Sequence, residues 1–185
     1  VLDVSSGTFH HELVIAGFGG QGVVLAGKLV AMAGMAEGRE VVWAPSYGPE
    51  MRGGAVDCTV IVSSTRIGSP ETSLADSLVL MDRTSVARFG GRLKAGGLVL
   101  WNSSLIGETV EADGEVVGIP ATEEARRLGD QRVANVIMLG ALLARRPIVS
   151  PESLIGAMRE TAQGREALLA VNVEALRRGA ALAQS

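Results

Sequence analysis

The sequence predicts an α/β fold: a doubly wound, mainly parallel sheet with helices on both faces, in a single domain covering residues 1–185. Three observations predict it. An apolar run at residues 13–16 stops at four glycines, Gly17, Gly19, Gly20 and Gly22, and a second apolar run begins directly behind them. Further along, stretches with the two-residue alternation of a strand take turns with stretches of helical periodicity. No repeat or low-complexity linker divides the 185 residues, a length that buries roughly 70% of the surface an unfolded chain exposes.

The first strand, glycine turn and helix start come from ELVIAGFGGQGVVLAGK, residues 12–28. Gly17, Gly19 and Gly22 fit GxGxxG: one glycine for the turn, one for close approach of a ligand or neighbouring backbone, one for helix-on-strand packing. The helix behind it points unpaired N–H groups and the positive end of its dipole above the turn, where an anion is favoured. A glycine-rich corner with no ligand satisfies the same pattern. Residues 21–36 carry Val23, Val24, Leu25, Leu29, Val30, Met32 and Ala33 with Lys28 as the only charge, which suits a largely covered helix. Residues 40–43 form a short second strand. Residues 44–54, APSYGPEMRGG, hold two prolines and three glycines and read as a stiff loop.

Residues 55–63 alternate, with Val56, Cys58, Val60 and Val62 on one face and Asp57, Thr59 and Ile61 on the other. Residues 77–81 give the next strand and residues 83–93 a short helix closed by Gly96 and Gly97, followed by a strand at 98–101. Asp113-Gly114 predicts a hairpin turn within 108–120. Helices follow at 121–128, at 135–145, apolar nearly all round and so buried, at 151–161 behind the Ser150 N-cap and Pro151, and at 165–183.

Composition excludes several classes. Apolar residues make up 47% with 3% aromatics, and mean hydropathy is +0.30, which implies an aliphatic core and some apolar surface for a partner. Net charge is −3 with Lys and Arg scattered, so no nucleic-acid partner is expected. No apolar run reaches the ~18 residues of a membrane span, and no secretion signal is visible, so a cytoplasmic protein is expected. Cys58 is the only cysteine, too few for a disulfide, an iron–sulfur cluster or a structural zinc site. It shares a face with valines and reads as a small core residue rather than a nucleophile. His10 and His11 are adjacent and no third histidine exists, so no metal site is expected.

A dinucleotide site would need an acidic residue at the end of the second strand, about twenty residues after the glycines. Trp43-Ala44-Pro45 stand there, and Glu40 lies at the strand's other end. The polar equipment is instead Ser46, Tyr47, Glu50 and Arg52, in the stiff loop beyond the carboxyl end of that strand, the sheet edge where ligands bind. A long surface connection with a structural Arg–Glu pair is the plainer alternative for this loop.

GFGGQGVVLAGK (17–28) followed by PSYGPEMRGGAVDC (45–58) closely resembles the gamma subunit, or gamma domain, of thiamine-dependent 2-oxoacid:ferredoxin (acceptor) oxidoreductases. The resemblance continues in LADSLVLMD (74–82), the Gly96-Gly97 strand entry, NVIMLGAL (135–142) and NVEALRRG (172–179), and so covers nearly the whole chain. It implies a Rossmann-like subunit of a complex that decarboxylates a 2-oxoacid oxidatively with coenzyme A to an acyl-CoA and CO2, passing two electrons to ferredoxin. Branched-chain (2-oxoisovalerate, or ketoisovalerate), pyruvate, 2-oxoglutarate and indolepyruvate enzymes share this subunit type, and PSYGPEMRGG looks most like the branched-chain and 2-oxoglutarate versions. It also implies that this chain alone holds no cofactor. Thiamine diphosphate, Mg and the iron–sulfur clusters are then expected on alpha and beta subunits, with a delta subunit where one is present. By the same resemblance, the gamma piece is expected to pack against the thiamine-binding subunits and to contribute to the coenzyme A and active-site approach.

The helix N-terminus behind Gly22 and the Arg52 guanidinium can each meet a phosphate or carboxylate. Gln21 and Asn135 can each orient an amide or carbonyl, or serve as interface contacts. For Asn135, N-cap duty at the start of its apolar helix suffices. No catalytic residue is assigned. A stand-alone NAD(P)-binding enzyme and a ligand-free scaffold are the other readings. The isolated chain is expected to self-associate as a homodimer through the loop and the apolar helix at 135–145.

Overall fold

The computed structural model describes residues 8–48, 54–69 and 72–184. The strands are β1 His10–Phe18, β2 Glu40–Tyr47, β3 Ala55–Ser63, β4 Ala75–Leu80, β5 Leu93–Asn102 and β6 Gly114–Ile119. They form one sheet in the order β2-β3-β1-β4-β5-β6. The helices are α1 Val23–Ala36, α2 Arg83–Phe89, α3 Ala121–Arg127, α4 Ala134–Arg145, α5 Pro151–Ala162 and α6 Glu166–Gln184, with a 3-10 turn, Gln131–Val133, leading into α4. Neighbours β1-β4, β4-β5 and β5-β6 pair parallel, and β3 pairs antiparallel with both β1 and β2. Only β3 is reversed, so the expected mainly parallel α/β sheet is what forms.

Strand alternation divides the core. Leu13 and Ile15 of β1 join Val56, Cys58, Val60 and Val62 of β3 and Leu98 and Leu100 of β5 on one face, covered by α1, α3, α4, α5 and α6. Val14, Ala16, Leu78, Leu80 and Val99 face the other way and meet Phe89 of α2 with Ile106 and Val110 of the following excursion. Helices therefore cover both faces, but unequally. The second face has one two-turn helix because the chain from Ser103 to Asp113 supplies cover without regular structure.

Three local expectations fail for identifiable reasons. β2 runs on through Ala44, Pro45 and Ser46 to Tyr47, where a loop was expected, with Pro45 opposite Cys58. β2 is the outermost strand, and Gly48 N donates to Ala55 O at 2.7 Å, so the even-numbered residues bond inward and the missing N–H of Pro45 falls on the open side. Asp113-Gly114 makes no hairpin: Gly114 opens β6, which pairs parallel with β5. Gly96 and Gly97 lie inside β5 rather than closing α2, which ends at Gly90. They fall at the step in the β4–β5 register. α4 is buried as expected, beneath α6.

Candidate functional site

At the glycine turn, Gln21 N donates to Phe18 O at 3.2 Å and Gly19 N to Gly54 O at 3.0 Å, which fastens the turn to the chain entering β3. The close approach made at Gly19 is thus to neighbouring backbone. Gly22, the N-cap of α1, has φ 74, a left-handed conformation suited to glycine, and a side chain there would collide with the Asn135 amide. Among the described residues no side chain caps α1, and its first N–H groups face the space above the turn.

Two side-chain amides brace this geometry. Gln21 Oε1 accepts from Phe18 N at 2.9 Å, and its Nε2 donates to Met81 O at 3.4 Å. Asn135 Nδ2 donates to Gly22 O at 3.0 Å, while its Oδ1 accepts from Val136 N. Asn135 lies within the first turn of α4, whose N-cap is Val133, so the N-cap reading is replaced by a clamp on Gly22. Both amides orient carbonyls, and the carbonyls are the protein's own.

The chain leaves β1 toward the α1 face and leaves β4 toward the α2 face, so the boundary between β1 and β4 is the topological switch point of the sheet. Ligands of open α/β sheets bind in the crevice outside the carboxyl ends of the strands there. A crevice of about 430 Å3 occupies that place. One wall is Phe18, Gly20, Gln21 and Met81; the other is Leu105, Thr122 and Arg126, with Gln131, Arg132 and Ala134. Arg126 is exposed and makes no ion pair among the described residues. Arg132 is already held by Asp130 (Nη2 to Oδ2 2.7 Å, Nε to Oδ1 2.9 Å), which keeps the Asp130 carboxyl below its usual range. On the other side of the turn, a hollow of about 320 Å3 lies over the α1 N-terminus, bounded by Gly19, Gly20, Gly22, Val24, Tyr47 and Val56.

Of the residues singled out in the sequence, Gly19, Gly20, Gly22 and Tyr47 meet at this hollow, and Gly20 and Gln21 line the crevice. Gly17 is buried beneath the turn and Asn135 braces it from below. Ser46 pairs with Asp57 and Tyr47 with Val56, so Ser46 and Tyr47 sit on opposite faces of β2, on an edge strand rather than in a loop. Glu50 and Arg52 lie outside the described residues. Cys58 is wholly buried and its thiol is pushed up to about 12, chiefly by burial, consistent with a core residue. His10 contacts Glu12, and His11 is buried against Ser77. Reversed β3 separates β1 from β2, so an acidic residue ending β2 would stand two strands, about 10 Å, from the glycine turn. The far wall of the crevice went unread in the sequence: Thr122, Arg126, Gln131 and Arg132 have no local signature. Asn102, wholly buried at the end of β5, was visible only as the polar stop of an apolar run.

These features define a Rossmann-like open α/β protein whose ligand-competent crevice lies at the sheet's switch point. The chain belongs to the pyruvate ferredoxin/flavodoxin oxidoreductase family, whose model matches residues 12–182. It is 38% identical over 167 residues to the ketoisovalerate oxidoreductase subunit VorA of Methanothermobacter marburgensis, covering 90% of this chain and 35% of that one. It is 37% identical over 147 residues to the 2-oxoglutarate synthase subunit KorC of Methanocaldococcus jannaschii, covering 77% and 79%. Among solved structures it resembles the gamma subunit of a keto/oxoacid ferredoxin oxidoreductase from Geobacter sulfurreducens, with a TM-score of 0.81 and 30% identity over 94% of this chain and 98% of that one. The chain thus spans about a third of the VorA relative's length and most of KorC's.

Proposed function

We propose that this chain is the gamma subunit, or gamma domain, of a cytoplasmic thiamine-dependent 2-oxoacid:ferredoxin oxidoreductase. It acts with alpha and beta subunits, and a delta subunit where one is present, that carry thiamine diphosphate, Mg and the iron–sulfur clusters. The complex converts a 2-oxoacid and coenzyme A to an acyl-CoA and CO2 and passes two electrons to ferredoxin. The gamma chain supplies the approach for coenzyme A, an anionic co-substrate whose diphosphate suits a helix N-terminus and an arginine. The observation that carries this reading is the switch-point crevice, where Arg126, without a counter-ion among the described residues, faces the braced glycine turn. The names of the VorA and KorC relatives support it. Alone, the chain forms a homodimer.

Steady-state kinetics of the reconstituted complex test the reading. Arg126→Ala removes one charge-assisted contact, so the KM for coenzyme A should rise about tenfold, with little change in the KM for the 2-oxoacid. An unchanged KM for coenzyme A would remove the crevice from the co-substrate's path.

A further inference from the structure

We infer that Asn102 is a positioning residue: its buried amide couples the two walls of the crevice through the main-chain carbonyl of Met81. Asn102 is wholly buried, so it touches no ligand. Its Nδ2 donates to Thr122 Oγ1 at 2.9 Å and to Met81 O at 3.4 Å, and its Oδ1 accepts from Thr122 N at 3.4 Å. Both protons and the oxygen are thereby used, which fixes the orientation of the amide. Thr122 stands in the first turn of α3, the helix that carries Arg126 into the crevice. On the opposite side the same Met81 carbonyl accepts from Gln21 Nε2, and Gln21 Oε1 holds the Phe18 N–H of the glycine turn. Met81 is itself anchored, its N–H donating to Ala16 O at 2.8 Å.

A continuous chain of hydrogen bonds therefore runs from α3 through the Asn102 amide, the Met81 main-chain carbonyl and the Gln21 amide to the glycine turn, across the ends of β5, β4 and β1. Such a connection sets the distance between Arg126 and the glycine turn, the two walls of the crevice, and hence how well both engage one ligand. A side chain present only to satisfy its own burial would affect α3 alone. The functional half of the inference rests on the crevice taking an anionic co-substrate; the mechanical half does not.

The experiment reads both halves. Amide hydrogen exchange is followed in the free chain for Asn102→Ala and for Thr122→Val, which deletes one bond of the network and keeps the fold accessible if the first variant is unstable. Faster exchange is expected at Thr122 and also at Phe18, by about tenfold, with Thr122→Ser close to wild type. Acceleration confined to α3, with Phe18 unchanged, overturns the coupling. Coenzyme A titration into the reconstituted complex then supplies the functional arm. Asn102→Ala should raise the Kd five- to tenfold, and Thr122→Ser less than twofold. Coupled exchange with an unchanged Kd overturns the positioning role. A wild-type complex that binds no coenzyme A overturns the functional reading of the crevice while the exchange data still decide the coupling.

Discussion

His11, at the amino end of interior strand β1 and so at the end of the sheet away from the crevice, carries a pH dependence that falls in the acid range. It is buried on β1, its Nε2 is 3.0 Å from Ser77 Oγ, and its ring stacks on Phe9. Burial pushes its pKa down to about 4, opposed by the Asp76 carboxylate and reinforced by Arg146, Lys94 and His10. In the unfolded chain the value returns to about 6.5. The unfolded state thus takes up the proton first, so this stabilisation is complete above pH about 6.5 and is lost as the pH falls toward 4. The full difference amounts to about 3 kcal/mol. Urea unfolding between pH 4 and 7 should show that slope, and His11→Gln, which stays neutral, should flatten it; an equal slope in the variant would place the dependence elsewhere. Residue chemistry was partly legible beforehand. Gln21 and Asn135 were recognisable as groups that orient a carbonyl, but that the carbonyls belong to Met81 and Gly22 depends on contacts up to 113 residues apart in sequence.

Among the elements, the pairing of α4 with α6 is the closest helix contact, and two glycines make it. A Cβ on Gly140 would fall on the Leu176 carbonyl oxygen, and one on Gly179 would fall on the Ile137 carbonyl oxygen. Alanine in a helix is favoured over glycine by roughly 1 kcal/mol, but overpacking a close contact costs typically about 1–3 kcal/mol and here the obstacle is backbone, which has no rotamer to yield. Overpacking should win: Gly140→Ala and Gly179→Ala are each expected to lose about 2 kcal/mol by urea denaturation, and a midpoint at or above wild type would show that the helices separate freely. Both glycines stood inside recognisable stretches, yet a helical glycine names no partner, so their role could not be read. The same limit explains β2 and β6. Pro45 reads as a breaker unless its strand is known to be outermost, and Asp113-Gly114 reads as a hairpin unless β5 is known to be the neighbour of β6. The β1–turn–α1 unit was legible because its signals are local.

For the molecule as a whole, the near wall of the crevice is written, apart from Met81, in the short stretch from Phe18 to Gln21 and the far wall in side chains about a hundred positions later, brought together only by sheet order. The same order revises where self-association would take place. α4 is buried from Ala134 to Leu143 and offers no surface, contrary to expectation. Large exposed apolar side chains instead include Leu25 and Met35 of α1 and Trp43 and Tyr47 of β2, with Tyr47 68% exposed. Edge strand β2 has no charged residue between Val41 and Tyr47, whereas the opposite edge, β6, carries Glu115 in ion pairs with Arg145 and Arg146. Charge on an outer strand discourages pairing with another chain, and beyond Glu40 β2 lacks it; Pro45 blunts the open side of β2, so the exposed apolar side chains rather than strand pairing offer the contact surface. An isolated chain with this surface uncovered is expected to form a two-fold dimer at micromolar concentration. Sedimentation equilibrium should then return twice 19.1 kDa. Adding alpha and beta subunits should convert the dimer to a mixed complex if they cover the same surface. A strict monomer across the concentration range would mean that the apolar excess of the sequence is consumed within the fold, chiefly by the all-round burial of α4.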